Sequence, residues 1–358
     1  MPAGVIDRGP VRYRPIGRIV VRVANWIGDA VMNTALIAAI RERFPDAHLA
    51  VMARKGPSIV LENHPHIDEI FVLDDRSGAG RSAASKWLKR GKFDAAFVTP
   101  NSWRAALPFY RAGISIRVGT TRNMRRVLFT HPIPFTAADL HEHEVLVTRR
   151  LITPWRNEDL LPKPVLTLGI TDEERAWATE YIHRIGGGKP VACLNPGAAF
   201  GGAKRWPPDR YAAVGKALVE QHGMAVFVQA GPGEEEMARE VCKATDAPLH
   251  NAARELTLRH LMAVLEQCQL LVTNDSGPMH IAAALGTPTV AIFGSTDPVN
   301  TAPWSDCAVV VQHRVPCSPC HLRTCPIDHR CMTGVTVEMV MMEVKRIKDE
   351  SGRMKAEG

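Results

Sequence analysis

Short apolar runs alternate with segments of helical period through most of this chain. In the N-terminal half, Arg18–Ala24, His48–Ala53, Glu69–Leu73 and Ala95–Thr99 read as strands and Ala30–Arg43 as a helix. The C-terminal half repeats the scheme, with strands expected at Val191–Leu194, Ala225–Gln229, Leu270–Thr273 and Thr289–Phe293 and helices between them. Near-continuous apolar strands separated by helices predict parallel sheets covered on both faces. The fold class is therefore α/β, with two Rossmann-like doubly wound domains. Gly78–Ser85 reads as a loop without chemistry, and Val337–Lys348 as a final helix.

Length supports two domains, because 358 residues exceed one ordinary core and roughly 150 residues per domain is the usual scale. The proline-rich polar stretch 156–164 has the composition of a linker. It places the boundary between about Pro154 and Thr171 and gives domains of 1–160 and 161–358.

Two loops stand where such sheets hold ligands, beyond the carboxyl ends of strands. In Asn195-Pro-Gly-Ala-Ala-Phe-Gly-Gly-Ala-Lys-Arg-Trp-Pro-Pro208, Gly197, Gly201 and Gly202 permit close backbone approach, and Pro207 or Pro208 suits a first helical turn. Lys204 and Arg205 then lie near free helix amides, where charge and dipole both favour phosphate. In Leu270-Leu-Val-Thr-Asn-Asp-Ser-Gly-Pro-Met-His280, a strand ends in small polar residues before a helix, so Asp275 or Ser276 is a candidate cap. His280 reaches a phosphate or sugar hydroxyl from the first turn, or else is a packed helix histidine.

Together these segments resemble the nucleotide-binding half of the glycosyltransferases that build the lipopolysaccharide inner core, the heptosyltransferases. The resemblance rests on Asn195-Pro-Gly197 with Ala203-Lys-Arg-Trp-Pro207, on Thr273-Asn-Asp-Ser-Gly277 with Met279-His-Ile-Ala-Ala-Ala284, and on Asn25-Trp-Ile-Gly-Asp-Ala-Val-Met32. It extends from Arg18 to roughly Val340. It implies the GT-B architecture, in which an acceptor-binding domain faces a nucleotide-sugar domain and the last helix can cross back onto the first.

The activity implied is inverting transfer of L-glycero-D-manno-heptose from ADP-heptose to the first heptose of the inner core. The alternatives are transfer to the Kdo acceptor and a nucleotide-sugar epimerase on the same fold. The resemblance makes Asp29 the general base, a residue that would otherwise read as a helix N-cap. Lys204 and Arg205 neutralise the diphosphate with the segment Thr273, Asn274, Asp275, Ser276 and Gly277, assisted by His280. Asn25, Trp26 and Gly28 share the Asp29 loop, and Glu234, Glu235 or Glu236 holds the ribose, with Glu234 the residue taken. No cofactor is required: an Asp-x-Asp nucleotide-metal motif is not evident.

Net charge is +7 and the calculated pI about 9.1, which suits nucleic acid, an anionic membrane or a phosphorylated substrate. Aromatic residues are only 6% and the cations are scattered, which disfavours nucleic acid. Arg54, Lys55, Arg104, Arg117, Arg122, Arg125 and Arg126 belong to the acceptor domain, most as surface charge. No run approaches the ~20 apolar residues of a membrane span, and Met1–Arg8 lacks a secretory apolar core. The expectation is a cytoplasmic protein peripheral to the inner membrane, with ADP-heptose and an inner-core acceptor as partners. Cys317, Cys320, Cys325 and Cys331 have spacing compatible with a structural zinc ion, a reduced loop or a redox pair.

Overall fold

A computed structural model describes residues 16–155 and 163–356. Residues 156–162, most of the expected linker, and the segment Met1–Arg8 lie outside the described residues. The first lobe is built on β1 (Arg18–Arg22), β2 (His48–Ala53), β3 (Glu69–Val72), β4 (Ala95–Val98), β5 (Ile116–Thr120) and β6 (His131–Ile133). These six are parallel in the order β3-β2-β1-β4-β5-β6. The second lobe has β7 (Val191–Asn195), β8 (Ala225–Val228), β9 (Leu249–Asn251), β10 (Leu270–Asn274), β11 (Thr289–Phe293) and β12 (Ala308–Gln312). Their parallel order is β12-β11-β10-β7-β8-β9.

Counted from its own first strand, each sheet therefore has the same winding. Chain order reverses between β1 and β4 and between β7 and β10, and crevices open at such points. The Asp29 loop follows β1, and the two anion-site loops follow β7 and β10. The central strands are buried along nearly their whole length, which is why they carry unbroken apolar runs.

The four strands that periodicity missed, β5, β6, β9 and β12, are peripheral. Arg117 and Gly119 interrupt β5, and β6 contains Pro132, tolerable because it lies at a sheet edge. Gly78–Ser85 is not a loop but opens the helix Gly78–Arg90, whose cap is Ser77 accepting the Gly80 amide at 2.9 Å. The first helix is split at Asn33 into Ile27–Met32 and Thr34–Arg43. The Asn33 Oδ1 accepts the Ala24 amide (2.9 Å) and the Thr99 hydroxyl (2.7 Å), tying the split to the ends of β1 and β4.

The lobes share an apolar interface. Val31, Met32, Ala35, Val60 and Val145 of the first belong to one buried cluster with Leu261, Met262, Ile281 and Ala282 of the second. The final helix, Val337–Ala356, buries Val340, Val344 and Ile347 in the core of the second lobe beside Leu218 and Val311. Its described packing thus lies on its own lobe, against the expectation that it returns to the first.

Candidate active site

Asp29 is the third residue of the helix Ile27–Met32, whose cap position is held by Trp26. Its carboxylate makes no cap bond, so the N-cap reading fails. Burial raises its carboxyl from the ordinary range to about 6; Asp275 from the second lobe adds to the rise and Lys204 opposes it. Residues from both lobes therefore share one electrostatic environment.

Steric contact joins the lobes at the same place. A Cβ on Gly28 would stand 2.5 Å from the His280 ring, and one on Gly277 would stand 3.1 Å from Ile27. These two glycines let the helix starts approach. His280 is buried, its Nδ1 has no partner, and burial lowers its pKa to about 4, so the ring is neutral at pH 7.

On the second lobe, the Lys204 ammonium lies 2.5 Å from Asp275 Oδ2 and 4.8 Å from the centroid of the Phe200 ring. The same carboxylate oxygen accepts the Thr296 hydroxyl at 2.7 Å. Arg205 pairs with Glu234 at 2.7 Å, and Glu234 also accepts the Ala198 amide at 2.9 Å. The carboxylate fills the space beside Gly197. Glu235 faces Arg254 at 3.8 Å and Glu236 pairs with Arg239, so Glu234 is the member of the trio joined to the anion loop. Beside it, Arg205, Pro207, Glu234 and Met237 help line a groove of about 480 Å³.

Thr273 and Asn274 are fully buried, and their polar atoms join the loops to each other. Asn195 Nδ2 donates to Thr273 Oγ1 (2.9 Å) and Ser276 Oγ (3.0 Å), while Asn274 donates to the Pro196 carbonyl (2.7 Å) and accepts the Trp206 amide (3.1 Å). These bonds hold the two loops together. Ser276 occupies the cap position of the helix Gly277–Leu285, yet its side chain does not cap it, leaving the first amides available to an anion. Asn25 likewise accepts a bond from Arg22 (2.6 Å), whereas Trp26 is half exposed.

The sequence and the fold match known proteins. The family model "Glycosyltransferase family 9 (heptosyltransferase)" matches residues 81–330. This chain belongs to glycosyltransferase family 9. It is 30% identical over 310 residues to lipopolysaccharide heptosyltransferase 2 of Escherichia coli K12, covering 82% of this chain and 88% of that protein. Lipooligosaccharide heptosyltransferase 2 of Haemophilus influenzae is 31% identical over 306 residues, covering 80% and 86%. The solved structure of E. coli ADP-heptose lipopolysaccharide heptosyltransferase II superposes with a TM-score of 0.78 at 28% identity, over 94% of this chain and 99% of that one.

Within this family 9 chain, sequence reading overlooked Glu144. It begins the helix Glu144–Arg149 and its carboxyl is raised to about 7, by burial first and by Asp29 second. The signal was the second carboxylate of Glu142-His-Glu144, set directly before the apolar run Val145–Val147. Thr296 was overlooked too, although Gly294-Ser-Thr296 follows β11 as small polar residues follow β10.

The four clustered cysteines have free thiols and line one cavity of about 80 Å³ with Ser295 and His329. The other three thiols, after burial, push Cys331 upward. Among the described residues, no three His, Cys, Asp or Glu side chains are arranged to hold a metal ion. What the cysteine loop visibly does is brace the anion loop: His329 Nε2 meets the Ala203 carbonyl at 2.9 Å, the Ala203 amide donates to Arg323 O at 3.0 Å, and Arg323 packs over Phe200.

Proposed function

We propose that this chain is an inverting heptosyltransferase that moves L-glycero-D-manno-heptose from ADP-heptose to the first heptose of the lipopolysaccharide inner core. The observation that carries this reading is Asp29 of one lobe within electrostatic reach of Lys204 and Asp275 of the other, where Gly28 and His280 bring the lobes into contact. The names of the E. coli and H. influenzae relatives supply the sugar and the step.

In the proposed reaction the acceptor oxygen attacks the anomeric carbon as the bond from that carbon to the diphosphate breaks. Asp29 takes the hydroxyl proton. Lys204, Arg205 and the free amides at the start of Gly277–Leu285 stabilise the charge gathering on the departing ADP. The donor diphosphate would compete with Asp275 for the Lys204 ammonium, and Thr296 would keep that carboxylate in place. Glu234 and the adjoining groove are offered to the nucleoside end. No described helix is long and apolar enough to cross a membrane, so the acceptor is to be met at the membrane surface.

The test is incubation of the purified protein with ADP-heptose and inner-core acceptors that carry one heptose or none. Heptose is expected on the monoheptosylated acceptor. Addition to the Kdo-terminated acceptor alone would move the chain to the preceding step, and conversion of the donor without acceptor would make it an epimerase.

A further inference from the structure

Between Asp94 and Asp139 the chain contains six arginines and neither an aspartate nor a glutamate. Charged residues in a soluble chain are ordinarily mixed in sign, so a segment this one-sided marks a surface with an anionic partner. The fold gathers it on one side. The helix Trp103–Arg111 follows β4 and the turns Arg122–Met124 and Arg126–Leu128 follow β5, all at the carboxyl edge of the first sheet.

The helix turns Ala106 and Phe109 inward and Trp103, Arg104, Tyr110 and Arg111 outward. The Trp103 indole donates to the Asn123 carbonyl at 2.8 Å, fastening the helix to the neighbouring turn. That turn exposes Met124 by 87% and Val127 by 70%, while Trp103 and Tyr110 are exposed by 45% and 50%. Elsewhere on a soluble surface such residues occur singly. Here they are interleaved with Arg111, Arg122 and Arg126, all exposed. Beneath them Arg125 is buried on neutral partners, donating to Asn101 Oδ1 and Thr120 Oγ1 at 3.0 Å each and lying over Phe129. The patch is thus a built surface whose own segment carries no acid, with aromatic and aliphatic side chains standing among guanidinium groups; the acids that reach its arginines, Asp75 toward Arg104 and Glu144 toward Arg122, belong to other elements.

That combination matches the interface of an anionic bilayer, where tryptophan and tyrosine settle at headgroup depth and cations are drawn to phosphate. We infer that the face formed by Trp103, Tyr110, Arg111, Met124, Arg126 and Val127 docks the first lobe onto an anionic phospholipid surface. The inference rests on the reading of the chain as an enzyme whose acceptor is carried by a membrane. Arg122 of the same turn acts electrostatically on Glu144, which Asp29 also influences.

The experiment is co-sedimentation of the full chain with vesicles that contain no lipopolysaccharide. Phosphatidylglycerol mixed with phosphatidylethanolamine is expected to bind the protein, more weakly as salt rises, and phosphatidylcholine to leave it in solution. Arg111→Glu with Val127→Asp should lower binding to the anionic vesicles by more than about tenfold, since each charge near such a surface is worth roughly fivefold. Met124→Ser with Tyr110→Ser should weaken it through lost insertion. Melting temperature, and turnover on a delipidated acceptor, should stay near the parent values in both pairs. Equal binding to both vesicle types, or full binding by the folded variants, overturns the inference. Variants that bind vesicles as the parent does but change its sedimentation coefficient assign the face to a second copy of the chain. Vesicle binding is read without catalysis, so a protein that docks but transfers no heptose would refute the proposed function alone.

Discussion

The imidazole of His280 occupies the space that any side chain on Gly28 would need, and through this contact the second lobe meets the helix that carries Asp29. Gly28→Ala should therefore force the ring or the lobes apart. Overpacking of this kind costs about 1–3 kcal/mol. A lower melting temperature and a fall in kcat are expected, with partial recovery when His280→Ala is added; an unaltered Gly28→Ala enzyme would contradict the contact.

Asp29→Asn should abolish the base while leaving ADP affinity near its parent value. General-base loss is worth about 10²–10⁴-fold in rate. Stability should move the other way. The folded-state pKa of Asp29 is raised, so its ionisation destabilises the fold progressively as pH rises from the unfolded carboxyl range through about 6. Above that pH the Asn variant should be more stable than the parent, by about 1–3 kcal/mol on the linkage relation. Denaturant titrations at pH 5 and pH 8 should show the difference at both, clearly larger at the higher pH.

If Asp29 must be ionised to accept a proton, kcat/KM should climb with pH and level off above about 6. Asp275→Asn removes the like charge that adds to the rise, so the ascending limb should shift to lower pH. A limb that stays in place would separate Asp29 from the second lobe.

Lys204→Ala should weaken ADP binding by about 10–100-fold, the scale of a charge-assisted bond to phosphate. Calorimetry reads this directly. Because Asp275, 2.5 Å away, competes with the diphosphate for the Lys204 ammonium, Asp275→Ala should leave ADP affinity at or above the parent value, opposite in direction to removal of the lysine itself.

The cysteine-rich loop braces the Lys204 turn through His329 and Arg323. His329→Ala removes one neutral hydrogen bond, worth about 1 kcal/mol. The expected result is a several-fold rise in KM for the donor with kcat little changed. A selective fall in kcat would place His329 in the chemistry instead.

Much of this arrangement was legible in the chain because the same local rules generate strand, turn and helix wherever they recur. Apolar runs located β1, β2, β3, β4, β7, β8, β10 and β11 to within a residue or two, and Gly197, Lys204 and Asp275 were recognisable as residues in the loops after strands. The edge strands β6 and β9 were not, since β6 is His-Pro-Ile and β9 is Leu-His-Asn. Gly78–Arg90 escaped because its Gly-Ala-Gly start argues for a turn, and only the Ser77 cap and packing of Ala84 and Leu88 make it a helix.

Sequence alone determined the two doubly wound sheets, the glycine-rich loop that carries Lys204 and Arg205, and the presence of a carboxylate after β1. Tertiary structure decided which polar residues are free to act. Thr273 and Asn274 have the chemistry to touch a ligand, but partners distant in sequence use their side-chain hydrogen-bonding atoms, and the Asn25 Oδ1 accepts from Arg22. Asp29, Glu144 and His280 acquire shifted proton affinities because burial and charges from other elements meet there. Hydrophobic periodicity is local and survives in one dimension; desolvation and charge coupling depend on three-dimensional proximity, which no spacing along the chain records.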